Sequence, residues 1–446
     1  MRLLTITYAV VAVLSSQVFA QLPDYSGYSY CNGISPIANK TYAPLEGSTL
    51  KKAQIMMRHG DRAPSSMLDG DETVYNICGN PQEAFYPAGS AYGASPLPLK
   101  ENIVVSSSNM FAGNYWPNGS NCQIGQLTNR GAVQARQVGT DLRSIYVDQL
   151  KFLPKTLPAN ADDFFYLRNT NVLRTKHTAM NFADGLYPAG FRTSGASLTL
   201  NQYPESVENL VVNPTACPKA AVAFAAFLVT PKYLQSVIQN ASANKRVNEI
   251  LGVSNNIKYA LLPTGDAIMP RYCNNLPLGC SKTDPSNCLT AQDAIDAITR
   301  SMLMLSGPFR YGPMAETMKR LAAGPFLREV ADSIRATIRQ SGSSTSPGAK
   351  TYRPFEFFSA HDASLDMVLS VIADPNTPWP AYASTVILET WQQASGQYVV
   401  RALYEGKVVP ANAGLKCSLA ACPAETFLKF IESYVPQDIR KECKVI

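Results

Sequence analysis

The residues of this sequence that could do chemistry are concentrated in two short segments. The chain has 446 residues and only three histidines. Two of them, His59 and His361, directly follow apolar segments of the kind that form buried strands. His59 lies in the segment 58–64 (RHGDRAP), and His361 stands directly before Asp362. Histidines at strand ends beside charged residues are candidates for catalysis.

These residue types fit the transfer of a phosphoryl group. A phosphate monoester needs a nucleophile, donors for three phosphoryl oxygens and a proton for the leaving alkoxide. A neutral imidazole such as His59 can attack phosphorus, and the guanidinium groups of Arg58 and Arg62 disfavour its protonated form in acid. Asp362 can hold a proton beside an anionic phosphate, donate it to the leaving group and later take one from water. This scheme requires no metal ion.

The elements that must position these residues indicate an α/β fold. Five segments have strand patterns: 52–57, 164–167, 355–359, 384–391 and 398–404. Two of them run directly into His59 and His361, and Thr128 can cap a following helix. We therefore expect a central mixed β-sheet flanked by helices, with the site at the ends of its strands.

The sequence predicts an α-helical insertion within this sheet domain. Helical patterns dominate residues 205–345, and a Ser/Gly-rich linker follows them. We expect the α/β catalytic domain to be built from 21–204 and 346–446. The irregular segment 65–120 has the composition of a lid, a binding loop or surface decoration.

The N-terminus predicts export. Arg2 precedes an apolar run over 3–14, and small residues up to Ala20 form a cleavage pattern, so 1–20 is interpreted as a signal peptide. A buried N-terminal helix is the alternative. No second long apolar stretch is present, and the polar C-terminus carries no lipid-anchor signal. We expect a protein secreted to the extracellular space, or to the lumen of a lysosome- or vacuole-like compartment, that does not contact a membrane.

Cysteine content and charge agree with this location. The ten cysteines are an even number and suggest disulfides, whereas a metal site is disfavoured because no Cys-x-x-Cys pair occurs. Three sequons could carry glycans, at Asn39, Asn118 and Asn240. The net charge is +6, but the lysines and arginines are scattered along the chain, so no nucleic-acid partner is expected. The expected partner is a small molecule, and the oligomeric state, monomer or homodimer, stays open.

Segment 58–64, with the distant His361-Asp362 pair, resembles the histidine acid phosphatase family, which includes phytases. RHG alone would also fit phosphoglycerate mutase relatives, but the His-Asp pair is similar to the acid phosphatase branch. The segment 168–175 (RNTNVLRT) resembles the one that supplies a further phosphate-binding arginine, here Arg174. The resemblance covers most of the chain, is weakest in 65–120 and in the helical insertion, and implies a phosphoglycerate-mutase-like sheet.

The resemblance implies a secreted acid phosphatase that works without a cofactor. His59 would form a phosphohistidine, and Asp362 would be the proton donor. Four residues would hold the phosphate: Arg58, Arg62, Arg174 and His361. A carboxylic acid donor paired with a cation-suppressed imidazole predicts an acid optimum, at about pH 4–6.

The resemblance also bears on the cysteines. It implies two disulfides: Cys217 with Cys443, and Cys417 with Cys422. The sequence departs from the family at Leu173, where an acidic residue often stands, and at 382–385 (YAST), which lacks a cysteine that some relatives have. We therefore expect Cys273 to pair locally, with Cys280 or Cys288.

Three further polar residues have interpretations other than catalysis, and two other functions fit the same motifs. Arg168 is predicted to be structural, and His177 structural or at the surface, while Asp61 is either solvated or orients a neighbour. A phytase-like hydrolase of inositol phosphates and an inactive secreted binding protein remain alternative functions. A phosphoglycerate-mutase-like transferase is disfavoured, because such a protein is expected in the cytosol without disulfides.

Overall fold

The computed structural model describes residues 29–33, 42–66, 73–79, 82–85, 97–100, 106, 108–110, 120–251, 264–340 and 353–445. The expected signal peptide, 1–20, and the sequons at Asn39 and Asn118 lie outside these ranges. Asn240 is described. It is half-buried at the end of a helix, where its side-chain nitrogen donates a hydrogen bond to the Ser236 carbonyl.

A mixed sheet forms the centre of the fold, in the strand order β10-β8-β7-β1-β6-β4-β5, with β9 paired to β8. Its strands are β1 (Ser48–Arg58), β4 (Phe165–Asn169), β5 (Leu200–Gln202), β6 (Phe355–Ala360), β7 (Thr385–Gln393), β8 (Tyr398–Tyr404), β9 (Lys407–Val408) and β10 (Cys422–Pro423). A separate two-stranded sheet pairs β2 (Gln82–Phe85) with β3 (Leu97–Lys100) in antiparallel orientation. The strands β1, β6, β4 and β5 run parallel, whereas β7, β8 and β10 are antiparallel to their neighbours. The predicted mixed sheet is confirmed.

In the described part of the chain, helices flank the sheet and occupy much of the segment between β5 and β6. They are α1 (Asn129–Arg143), α2 (Leu173–Leu186), α3 (Pro218–Leu228), α4 (Pro231–Gln239), α5 (Ala241–Ile250), α6 (Gly265–Cys273), α7 (Ala291–Arg310), α8 (Ala315–Met318), α9 (Gly324–Gln340), α10 (Asp362–Ile372), α11 (Ala424–Glu432) and α12 (Ile439–Glu442). Thr128 caps α1 as expected, since its side chain accepts a hydrogen bond from the Gly131 amide.

The inner strands β1 and β6 are buried over most of their length, and among their apolar side chains they carry polar ones such as Lys52 and Glu356, which form an ion pair of 2.7 Å. On one face, α1 and α2 pack through Leu142 and Phe182 against Phe357. On the other face, α9, α10 and α11 pack against side chains such as Phe358. The ring of Phe326, in α9, meets that of Phe358 edge-on at 5.0 Å. The last helix of the predicted insertion 205–345 therefore packs on the sheet itself, and the division into domains stays a prediction.

Five disulfides join the described cysteines: Cys31–Cys273, Cys78–Cys122, Cys217–Cys443, Cys280–Cys288 and Cys417–Cys422. Two of these are the pairs that the family resemblance implies. The expected local pairing of Cys273 is wrong, because its partner is 242 residues away in sequence. Cys273 ends α6, which packs with Tyr30 and Cys31 in one buried cluster, so this contact in space decides the pairing.

None of the described helices is by itself long and apolar enough to cross a membrane. The pair α3 and α4, bent by 55°, meets the same test of length and composition when the two helices are taken together.

Candidate active site

The two histidines leave neighbouring parallel strands at the same edge of the sheet. Arg58 and Ala360 are register partners at the ends of β1 and β6, so the next residue of each strand is a histidine. The His59 amide donates to the Ala360 carbonyl at 2.9 Å, and the two imidazole rings lie 5.5 Å apart between centroids. The sheet thus brings together residues that are about 300 positions apart in sequence.

The loop after β1 holds the His59 ring in one orientation. Its Nδ1 lies 2.8 Å from the Gly60 carbonyl oxygen, which can only accept a hydrogen bond. The proton is therefore on Nδ1, and Nε2 carries the lone pair. Gly60 is required because a Cβ there would lie 2.3 Å from the Gly131 carbonyl oxygen, so the loop can approach α1 only without a side chain.

His59 is kept neutral by its surroundings. Only 2% of the residue is exposed. Burial, followed by the charges of Arg174, Arg58 and Arg62, lowers the pKa of His59 well below its usual value. An imidazole in this environment keeps its lone pair at acidic pH, as a nucleophile must.

Arg58 is fixed from all sides and has no exposed surface. Its guanidinium lies 4.5 Å from the ring centroid of Tyr30 and 4.2 Å from that of Tyr382. It donates to the Pro380 carbonyl at 2.7 Å and to the Tyr30 hydroxyl at 2.5 Å, and it forms an ion pair of 2.9 Å with Asp362. The two tyrosines were not predicted from the sequence, which offers no signal for residues that act by stacking.

Arg62 is held by a residue from the helical segment. Its Nη2 donates to Asp266 Oδ1 at 2.5 Å, and the other oxygen of Asp266 accepts from the amide and hydroxyl of Ser65. Burial opposes the charged form of Arg62, but Asp266, Tyr382 and Tyr30 together outweigh it and raise the arginine's pKa above its usual value. Burial likewise opposes charge on Asp266, and Arg62 lowers the pKa of that carboxyl.

Arg174 and His361 form the third part of the site. Arg174 Nη2 lies 3.2 Å from His361 Nδ1, and because arginine only donates, Nδ1 accepts. The Nε2 of His361 then donates to the Thr170 hydroxyl at 2.9 Å. Burial and Arg62 lower the pKa of Arg174 to about 10. Burial, Arg174 and Arg62 also hold the pKa of His361 well below its usual value.

Asp362 is the first residue of α10, with His361 as the residue that precedes the helix. One carboxylate oxygen accepts from the Ala363 amide at 2.8 Å, and the other pairs with Arg58. Its side chain is 18% exposed, so a reacting group that lies against the buried histidines can come within its reach. Together with Arg174 and His361 it lines a cavity of about 500 Å³.

The structure thus gathers all six of the residues proposed for the site: Arg58, His59, Arg62, Arg174, His361 and Asp362. It does not bring in Arg168, which is buried in β4 and pairs with Glu329 at 2.8 Å, in agreement with a structural role. His177 is half-buried on α2.

The carboxylate of Asp61 is bound by residues other than the six of the site. Its carboxylate accepts from the Thr128 hydroxyl at 2.6 Å and from the Asn274 side chain at 2.7 Å. Burial raises the pKa of Asp61. The residue therefore ties the loop after β1 to α1 and to the end of α6, which favours the orienting interpretation over the solvated one. Within the described residues, no group of three or more His, Cys, Asp or Glu side chains is arranged to hold a metal ion.

The chain is similar to known proteins over most of its length. Counting factor 60 of Dictyostelium discoideum is 26% identical over 98% of this chain and 97% of its own length. Human lysophosphatidic acid phosphatase type 6 is 25% identical over 86% of this chain and 83% of its own. The solved phytase of Citrobacter braakii matches 89% of this chain and 100% of its own with a TM-score of 0.57, at 14% identity, and so shares the fold.

The model of the histidine phosphatase superfamily (branch 2) matches residues 49–405. This range contains the whole sheet edge described above, including His59, Arg174, His361 and Asp362. The chain belongs to the histidine phosphatase superfamily, branch 2.

Proposed function

We propose that the protein is an acid phosphatase that hydrolyses phosphate monoesters through a phosphohistidine on His59. The observation that carries this proposal is the bond from His59 Nδ1 to the Gly60 carbonyl, which leaves Nε2 with its lone pair among three guanidinium groups. A buried neutral imidazole surrounded by cations is suited to attack a dianionic phosphoryl group and unsuited to act as an acid.

The first half of the reaction transfers the phosphoryl group. The phosphate oxygens are bound by Arg58, Arg62 and Arg174, whose charge offsets that of the dianion. The lone pair of His59 Nε2 forms a bond to phosphorus while the bond from phosphorus to the ester oxygen breaks. Protonated Asp362 gives its proton to that oxygen, so the alcohol leaves neutral. His361 orients Arg174 through Nδ1 and completes the phosphate-binding group.

The second half regenerates the enzyme. Asp362, now a carboxylate, takes a proton from a water molecule as the water oxygen attacks phosphorus. The bond from phosphorus to His59 Nε2 breaks, and inorganic phosphate leaves. Every group that this cycle uses comes from the chain, so we propose turnover without a metal ion and an optimum at about pH 4–6. The five disulfides support a secreted or lumenal protein. In such a protein we also propose glycans at the sequons, of which Asn240 lies at the junction of α4 and α5.

Two other functions remain candidates. The phytase structures support a phytase-like activity only through the fold, since their identity with this chain is low. An inactive binding relative would need a defect in the site, yet all six side chains are present and meet at one edge of the sheet.

The test is release of phosphate from an aryl phosphate and from phytate between pH 3 and 9, with and without EDTA, by the wild type, His59→Ala and His177→Ala. We expect turnover in acid that resists EDTA, its loss in His59→Ala and its retention in His177→Ala. Activity in His59→Ala, loss with EDTA or an optimum above neutrality would refute the mechanism. Faster turnover of phytate than of the aryl phosphate would favour the phytase-like function.

A further inference from the structure

The cavity beside Asp362 has chemically distinct ends. At one end lie the three polar residues Arg174, His361 and Asp362. The remaining described residues that line it are apolar and come from 211–214, α3, α7, α8 and α10: Val211, Val212, Pro214, Ala220, Ala221, Phe224, Leu305, Phe309, Met318 and Ala363. Its volume of about 500 Å³ is within the range of small-molecule sites.

The position of Asp362 decides which part of the substrate enters this cavity. A general acid must lie within hydrogen-bond reach of the ester oxygen that it protonates. In the mechanism proposed above, the phosphoryl group is bound by His59 and the arginines, so the alcohol that carries this oxygen extends past Asp362. The alcohol therefore enters the apolar cavity.

We infer that the preferred substrates are phosphate monoesters of apolar alcohols, such as alkyl chains, an inference that rests on the phosphatase function proposed above. An alkyl chain against Val212, Phe224 and Phe309 removes apolar surface from water on both sides. Pro214 and Ala221 are solvent-exposed lining residues and mark the mouth through which a longer chain can extend.

The same lining disfavours polyanionic leaving groups. A polyol that carries further phosphates would place charged groups against apolar side chains, and a buried charge without a partner is costly. Arg174 is the single basic side chain among the described lining residues, and the reacting phosphate already uses it. Phytate is therefore expected to be the poorer substrate.

A series of n-alkyl phosphates from ethyl to decyl tests the inference, with glycerol phosphate and phytate as polar comparisons. We expect kcat/KM to rise by about 3- to 4-fold for each added methylene until the cavity is filled, mainly through KM. A flat or falling series with good turnover of the short esters would overturn the inference and leave the phosphatase function intact. No turnover of any monoester would instead contradict the phosphatase function.

Two lysine variants on α3 localise the effect. Ala221→Lys puts a cation in the cavity lining, whereas Val222→Lys puts the same charge on the next residue, which is 42% exposed and does not line the cavity. We expect Ala221→Lys to flatten the dependence on chain length and to improve phytate relative to decyl phosphate, and Val222→Lys to behave as the wild type. Phe224→Ala should also flatten the series. An unchanged series in both cavity variants would overturn the assignment.

Discussion

Arg62 and Asp266 form an ion pair of 2.5 Å between residues that lie 204 positions apart in the sequence. The pair joins the loop that carries His59 to α6, a helix that belongs to the segment between β5 and β6. The second carboxylate oxygen of Asp266 holds Ser65 in the same loop. The helical segment therefore positions Arg62, which we propose binds the phosphate, and does more than cover the site.

Asp266→Asn is expected to lower kcat/KM about 10-fold or more, largely through KM. The change removes a charge-assisted hydrogen bond that orients Arg62, and such bonds contribute about 1.5–3 kcal/mol. Steady-state kinetics on an aryl phosphate measure the effect. Asp296→Asn, an exposed acid on α7, is the matched control and should match the wild type. Equal kinetics of the two variants would contradict the role given to Asp266.

The Cys31–Cys273 disulfide ties the same helix to the segment that carries Tyr30, which stacks on Arg58. Replacing both cysteines with serine should lower kcat/KM several-fold, up to about 10-fold, and lower the free energy of unfolding by about 2–5 kcal/mol.

The double serine variant of Cys280 and Cys288 is the control, because this disulfide closes a short loop between α6 and α7. Activity should stay at the wild-type level in that variant. If both double variants lose activity equally, the disulfides act on general stability and not on Arg58.

The buried histidines predict that the fold is less stable in acid. His59 and His361 have pKa values well below the usual one, so the unfolded chain binds protons that the folded chain does not. Above the unfolded pKa of about 6.5 the histidines are neutral in both states, and the free energy of unfolding is not reduced. Below that pH the free energy of unfolding falls, by up to about 1.4 kcal/mol per pH unit for each histidine.

Urea unfolding at pH 6.5 and pH 5 measures this dependence. The wild type should lose more free energy of unfolding over this interval than His361→Asn, which lacks one of the two histidines. An equal loss in both proteins would show that His361 is not held neutral.

Asp362→Asn should separate substrates by their leaving groups. Without the proton donor, kcat for an alkyl phosphate should fall about 10²- to 10⁴-fold, the usual contribution of general acid catalysis. p-Nitrophenyl phosphate should be affected much less, because nitrophenolate leaves without a proton. Since Asp362 also pairs with Arg58, thermal unfolding must show that the variant is folded. An equal loss for both substrates would argue against the donor role.

The sequence predicted the sheet edge but not everything that completes the site. The apolar segments before His59 and His361 are long enough to be strands, and parallel strands bring their ends together, so the two histidines could be placed. Asp266, Tyr30 and Tyr382 could not be found in this way. Each acts on an arginine through a contact between distant segments, and neither composition nor spacing records such contacts.

The prediction of a local partner for Cys273 was wrong for the same reason. Sequence proximity favoured Cys280 or Cys288, but the packing of α6 against Tyr30 and Cys31 determined the partner. The apolar lining of the cavity could not be predicted from the sequence either, because Val212, Phe224 and Phe309 come from three separate segments.

In the proposed mechanism, His59 carries the phosphoryl group during turnover. The most direct measurement is to mix the enzyme rapidly with a ³²P-labelled aryl phosphate, quench in alkaline denaturant and locate the label by peptide mapping. We predict an acid-labile, base-stable label on the peptide that contains His59, and none in His59→Ala. Turnover by the wild type without a labelled protein, or a label on any other residue, would contradict the mechanism.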